Sequence, residues 1–166
     1  MATPEFVLAL REKIGTAPLW LTGVTAVVVR DLDGSPRTSS ASAEILLVKR
    51  SDTGAWTPVT GIIDPGEQPA AAAAREVLEE ADLVVVPVRL ARIGVTDEIT
   101  YPNGDRAQYI DHTFVCRYVS GAPRPADGEN TEARWFAADA MPAMSADMTE
   151  RVTAALTGGP EAAFSV

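Results

Sequence analysis

The sequence predicts an α/β protein, and three observations carry that reading. Runs of β-branched and apolar residues with strand character recur at Gly23–Arg30, Glu44–Arg50, Leu83–Val95, Gln108–Val119 and Ala133–Phe136. Between and around them lie helical segments, the clearest being Pro69–Ala81. The 166 residues are 46% hydrophobic and 22% charged, the balance of a globular chain large enough to bury a core without staples. No internal repeat and no linker interrupts the chain, so residues 1–166 read as one domain.

Taken in order, Phe6, Val7, Leu10 and Ile14 stand at helical spacing, with Thr3 as an expected cap and Pro4 at the first helical position. This predicts a short docking helix over about 4–14. Two strands, Gly23–Arg30 and Glu44–Arg50, should follow, separated by a mobile loop over Asp31–Ala43 with the polar run DLDGSPRTSSAS. A further strand at Trp56–Thr60 contains Pro58, which lacks a backbone donor and so belongs at an edge or a bulge. Pro69–Ala81 carries five consecutive alanines, no glycine, and a proline at a plausible first helical position. Leu83–Val95 and Gln108–Val119 should be joined across Tyr101–Asp105, where Asn103-Gly104 is a turn signal. A strand through Ala133–Phe136 and a helix through about Asp147–Leu156 complete the order, and Gly158-Gly159-Pro160 opens an expected frayed tail over about 158–166.

Charge and cysteine content narrow the function classes. A formal net charge of −9 argues against broad contact with a nucleic-acid backbone, which requires clustered Lys and Arg. It leaves small phosphate ligands open, because a bound cation and a few local arginines can hold a diphosphate. No apolar stretch reaches the ~18–20 residues of a membrane span, and Glu5, Arg11, Glu12 and Lys13 interrupt what a signal peptide would keep apolar. Cys116, the single cysteine, lies in an apolar run and reads as a small core residue, consistent with a reducing cytoplasm. The single histidine, His112, excludes a multi-histidine zinc site and leaves little room for a Ser-His-Asp triad; in a strand pattern it reads as structural.

Glu76, Glu79 and Glu80 stand at i, i+3 and i+4 of the predicted helix, within an arc of about 100°. Ala70, Ala73, Ala74, Val77 and Ala81 fall roughly opposite, so the helix should bury its alanine side and hold three carboxylates outward. An ordinary solvated face is the simplest alternative, but such faces mix signs, and here Arg75 is the only cation between Gln68 and Val88. Converging carboxylates suit a hard cation such as Mg²⁺, which takes oxygen ligands. The turn-rich loop Gly61-Ile62-Ile63-Asp64-Pro65-Gly66-Glu67 leads directly into this helix, and its glycines allow backbone to approach a ligand closely.

The stretch Gly61 to Leu83 resembles the box of the Nudix family: Gly61, Glu67, Arg75, Glu76, Val77, Glu79, Glu80 and Leu83 match in type and spacing, and Asp82 replaces the final glycine. That glycine would sit just past the helix in a left-handed conformation, which Asp tolerates better than most residues. The resemblance implies an α/β/α sandwich with a mixed sheet between helices, extended weakly beyond the box by the strand order and Trp135-Phe136. It implies that Glu76, Glu79 and Glu80 bind Mg²⁺, or Mn²⁺ in its place, that Arg75 orients Glu76, and that the backbone carbonyl of Thr60 or Gly61 adds a ligand. The implied activity is metal-dependent cleavage of a phosphoanhydride in a small nucleotide: an ADP-ribose or nucleotide-sugar type of substrate, or a nucleoside triphosphate. No nucleic-acid polymer or membrane partner is expected, and a homodimer is allowed.

The general base stays open between Glu76 and Glu129, the latter because family members often place a base or extra metal ligand on a loop in that region. A solvated turn carboxylate is an equal alternative for Glu129. Of Lys49, Arg50 and Trp56, which flank the loop before the box, Arg50 is favoured as a phosphate contact. Asp139 reads as a cap or turn residue, and Tyr101–Asp105 as either a border of the substrate site or a plain turn. A non-catalytic nucleotide-binding or sensor module is the rival class, disfavoured because such a module has no need of all three glutamates.

Overall fold

A computed structural model describes residues 3–31, 43–157 and 159–165; the segment expected to be a mobile loop lies, apart from Asp31 and Ala43, outside the described residues. The elements are α1 (Glu5–Ile14), β1 (Leu19–Asp31), β2 (Ala43–Arg50), β3 (Trp56–Thr57), β4 (Val59–Ile62), α2 (Pro69–Ala81), β5 (Leu83–Val95), β6 (Ile99–Thr100), β7 (Arg106–Gly121), β8 (Asn130–Ala137) and α3 (Ala146–Thr157). This is the expected mixed sheet between helices. β1 is its axis, parallel to β7 from Leu19↔Ala107 to Val29↔Arg117 and antiparallel to β2 and β4. β5 flanks β7, and β8 lies against β2.

The alternation along β1 builds two cores. Val24, Ala26 and Val28 point to the α2 side, with Leu46, Val48, Val59, Ala73 and Val77. Val27 and Val29 point to the α3 side, with Ile45, Leu47, Val115, Val152 and Ala155. Because strand side chains alternate with period two, a sheet covered on both faces reads as one continuous apolar run, which is how β1 reads. A third, smaller cluster of Val7, Leu21 and Ala107 seats α1 at one end of the sheet. Cys116 is a buried member of the α2-side core, and burial pushes its thiol up to about 12. Among the described residues no helix is long and apolar enough to cross a membrane.

Several local expectations change. Pro4, not Thr3, occupies the N-cap of α1, and its carbonyl accepts from Val7 and Leu8. The predicted strand Trp56–Thr60 breaks at Pro58 into β3, which pairs with β2, and β4, which pairs with β1; proline withholds the donor that a continuous ladder would need. The tail does not simply fray: the Ala163 amide donates to Ala91 O at 2.8 Å, and the Ile93 amide donates to Ala163 O at 3.0 Å. The Tyr101–Asp105 connection is a tight turn with Gly104 at φ 86°, closed by Tyr101 N–H to Asp105 O at 2.8 Å and flanked by the β6–β7 pair.

Candidate active site

The site forms where β4 leaves the sheet and α2 returns along it. Gly61 pairs with Val24 of β1, so the position of its backbone is set by the sheet. From there the chain turns through Gly66, at φ 85°, and reaches the helix with Pro69 in its first turn. Glu67 ties the loop together, accepting the Asp64 amide at 3.1 Å and both Nε and Nη2 of Arg75 at 2.8 Å. Arg75 also donates to Ile62 O at 3.2 Å, Glu76 Oε1 at 2.9 Å and Glu79 Oε2 at 3.1 Å. One guanidinium thus fastens β4, the loop and the helix, and its forked geometry suits the bidentate grip on Glu67. The resemblance gave Arg75 the task of orienting Glu76; its larger share of bonds goes to Glu67, a box residue to which sequence reasoning gave no role.

The expectation of three outward carboxylates is corrected. Glu76 and Glu80 are each only 1% exposed, whereas Glu79 lies on the surface. The buried stripe of α2 is Ala72, Ala73, Glu76, Val77, Glu80 and Ala81, and Ala70 is exposed. The helix is rotated relative to the alanine-in arrangement, because Glu76 fills the space over the bare backbone of Gly61. A Cβ at Gly61 would stand 2.1 Å from Glu76 Cδ and 2.2 Å from its Oε1. Burial pushes both carboxyls up to about 7, against the pull of Arg75 on Glu76 and of the Asn130 hydrogen bond on Glu80. Asn130, at the start of β8, donates to Glu80 Oε2 at 2.9 Å; nothing in the sequence marks it for that task.

Glu76 Oε2 and Glu80 Oε1 are buried without a hydrogen-bond partner. Leaving a buried carboxylate oxygen unmet is costly unless something else satisfies it. Two such oxygens one turn apart on α2, with Glu76 packed against the Gly61 backbone, make a donor set of the hard-oxygen kind that Mg²⁺ or Mn²⁺ takes, so the residues fit the ion that the resemblance implies. Among the described residues no three His, Cys, Asp or Glu side chains already converge as a ready metal cluster, and Glu79 is engaged by Arg75.

A cleft of about 470 Å³ opens beside Thr60 and Gly61, and both Arg50 and Glu129 line it. Arg50 is held by Asp52 through Nε at 3.1 Å and Nη2 at 2.8 Å, with Glu129 Oε2 at 3.6 Å from Nη1. That pairing holds the Asp52 carboxyl at about 2. Glu129 is pinned more firmly than a mobile loop would allow: its carbonyl accepts the Ser51 amide at 2.8 Å and the Ser51 hydroxyl at 2.7 Å. The preceding segment does run across the end of α2, donating from Arg124 N to Ala81 O and from Ala126 N to Glu80 O. The Tyr101–Asp105 turn borders the cleft.

Deeper in the cleft, Asp111 accepts from Thr25 and Thr113 hydroxyls and from Arg151 Nη1, each at 2.7 Å. Sequence reasoning missed this buried group, although an acid inside the strand run Ile110–Phe114 was a signal that a partner had to exist. His112 is structural, with Nδ1 3.2 Å from Gly23 O. Asp139 falls in the turn after β8. Lys49 pairs with Glu132, and Trp56 packs edge-on against Phe136. Asp82 takes the left-handed conformation expected after the helix, φ 56° and ψ 38°, alone among the described non-glycine residues.

This architecture and site have counterparts. The NUDIX domain family matches residues 22–156, most of the chain, and the chain therefore belongs to the Nudix hydrolase family. A "MutT-like protein" of Streptomyces ambofaciens is 31% identical over 130 residues, covering 77% of this chain and 71% of that one. The "Putative 8-oxo-dGTP diphosphatase" of Bacillus subtilis (strain 168) is 34% identical over 102 residues, 61% of this chain and 62% of the relative's own length. An ADP-ribose pyrophosphatase from Streptococcus suis has the same fold, with a TM-score of 0.63 at 21% identity over 87% of this chain and 98% of its own.

Proposed function

We propose that this chain is a Mg²⁺-dependent pyrophosphohydrolase that cleaves a phosphoanhydride in a nucleoside diphosphate linked to a further group, of the ADP-ribose or nucleotide-sugar kind, or in a nucleoside triphosphate. The observation that carries the proposal is the pair of buried, partnerless carboxylate oxygens on Glu76 and Glu80, one turn apart on α2, with Glu76 packed on Gly61, whose backbone lines the cleft. A binding module gains nothing from burying two acids at such a cost. Glu76, Glu79, Glu80 and the Gly61 carbonyl would hold the ion. Once bound, it would neutralise charge developing on the diphosphate and lower the pKa of an attacking water.

The chain's own residues supply position. Arg75 keeps Glu76 in place through the 2.9 Å bond and holds the loop by its double bond to Glu67. Arg50 is the phosphate contact: it lines the cleft, and its main partner, Asp52, is exposed enough to release it. Glu129, 3.6 Å from Arg50, and Glu76 are the two carboxylates able to take a proton from water beside the diphosphate. A buried lone thiol suits a cytoplasmic setting.

The test is a phosphate-release screen over nucleotide sugars, dinucleotides and triphosphates, with and without Mg²⁺, on the parent and on Glu79→Gln and Glu80→Gln. Turnover should need the ion, and each variant should lose roughly a hundredfold or more in kcat. Undiminished turnover after exhaustive metal removal, or in both variants, would return the glutamates to a structural role.

A further inference from the structure

The cleft contains a second set of features that metal chemistry does not use. Its charged lining consists of Arg11, Arg50, Arg151, Asp105, Asp111 and Glu129. Each arginine faces one of the acids: Arg11 Nε is 3.6 Å from Asp105, Arg50 Nη1 3.6 Å from Glu129, and Arg151 Nη1 2.7 Å from Asp111. Away from the box, the two remaining arginines are also engaged within the protein, though Arg151 Nε is buried without a hydrogen-bond partner. Arg11 donates to the carbonyls of Gly15, Ala17 and Arg106, and Arg151 donates to Thr25 and Asp147. Their side chains are 11% and 5% exposed. A phosphate entering there would have to compete with short charge-assisted bonds, those of Arg151 to Thr25 and Asp111 buried, and breaking these would leave buried groups unmet. Among the described residues, each arginine at that end of the cleft already faces an acid.

It does offer aromatic surface. Tyr109 stands on β7 beside Leu21 of β1, and its hydroxyl bonds that of Tyr101 on the neighbouring turn at 2.8 Å. Between this pair and the box lies Gly23. A Cβ at Gly23 would be 3.4 Å from Tyr109 Cδ1 and 3.6 Å from Gly61 O, so those two atoms are at most 7.0 Å apart. The bare backbone of Gly23 is therefore what keeps the passage open between the Tyr109 ring and the carbonyl beside the metal-binding glutamates. A pentose bridges such a separation.

We propose that Gly23 and Tyr109 are specificity-determining residues: the charge-paired end of the cleft takes the uncharged nucleoside of the substrate, its base against Tyr109 and Tyr101, while the diphosphate lies at Gly61 and Arg50. This rests on the hydrolase reading for its substrate, but the binding it describes needs neither metal nor turnover. The experiment is calorimetric titration of the metal-free protein, in chelator, with the common ribonucleosides and separately with inorganic tripolyphosphate. The variants are Tyr109→Leu and Gly23→Ala; the second places a methyl in the passage at ordinary contact distance, so it keeps the fold if Tyr109→Leu does not. Thermal unfolding checks both.

At least one nucleoside should bind, tripolyphosphate should bind more weakly or not at all, and each folded variant should weaken nucleoside binding roughly tenfold or more. On a hydrolysed substrate the same variants should raise KM by about that factor, with kcat within about threefold. Tripolyphosphate binding as tightly as the best nucleoside, no nucleoside binding, or Gly23→Ala binding nucleoside like the parent would overturn the inference, even with hydrolysis intact. Conversely, nucleoside binding lost in both variants, in a protein that hydrolyses no diphosphate, would uphold the cleft and sink the hydrolase reading.

Discussion

Replacing Gly61 by alanine isolates the contact on which the site depends. The added Cβ would lie 2.1, 2.2 and 2.4 Å from Glu76 Cδ, Oε1 and Cγ, where unstrained carbon contacts need about 3.5–4.0 Å. The carboxyl must therefore retreat by more than about 1 Å, and Glu76, at 1% exposure, cannot do so by swinging into solvent. Gly61 is not in the left-handed region, so alanine brings no backbone strain of its own. Overpacking of this kind costs about 1–3 kcal/mol. The displaced Oε1 is also the atom that receives Arg75 Nη1 at 2.9 Å, a bond to a charged group worth about 1.5–3 kcal/mol. A displacement of about 1 Å in a positioned group costs on the order of a hundredfold in rate.

Gly61→Ala should thus lower kcat/KM by about two orders of magnitude, weaken Mg²⁺ binding and lower Tm. Steady-state kinetics across a Mg²⁺ series and thermal unfolding read these quantities. Gly54→Ala is the control, because Gly54 has φ 69° and nothing within 4 Å of its Cβ position; it should lose stability by about 1 kcal/mol and keep its turnover. Shortening Glu76 to Asp in the Gly61→Ala background should recover part of the lost Tm by relieving the overlap. Turnover and Tm of Gly61→Ala both at parental levels would refute the packing argument.

Three further outcomes follow from the same geometry. Asp82→Gly should change stability by between zero and a gain of about 1 kcal/mol, since relief at φ 56° is offset by loss of the exposed 2.9 Å pair with Arg124; a clear loss in chemical denaturation would show that the pair outweighs the backbone. In the metal-free protein, Glu76 and Glu80 titrate near 7, above the ordinary carboxylate range. The folded state then holds more protons than the unfolded state between about pH 4.5 and 7, so stability should fall as pH rises through that window, by at most about 3 kcal/mol per carboxyl, and level off above it. Mg²⁺ should raise Tm more at pH 8 than at pH 5, and a metal-free stability that climbs across the window would contradict the burial argument. Glu129→Gln should cut kcat roughly a hundredfold and remove the acid limb of the pH profile if Glu129 is the base, with metal affinity little changed; native activity and profile would leave that role to Glu76.

Sequence alone determined the elements whose causes are local. The strand character of β1, β2, β5, β7 and β8 follows from side-chain shape, α2 from its alanines and Pro69, the turn at Asn103-Gly104 from glycine, and the left-handed residue after α2 from the spacing of the box. It also brought Arg75, Glu76, Glu79 and Glu80 together on one helix, because i, i+3 and i+4 are neighbours on any helix. Which of those carboxylates is buried was not a local matter. Helical periodicity fixes angles between side chains but not the rotation of the helix against the sheet, and that rotation was settled by Gly61, whose missing Cβ admits Glu76. The division at Pro58 into strands serving two neighbours, Asn130 under Glu80, Arg151 reaching Asp111 across 40 residues, and the cleft between Gly61 and Tyr109 have the same origin. Each depends on contacts between segments far apart in the chain, whose geometry exists only once the mixed sheet has set β4, β7 and β8 beside their neighbours.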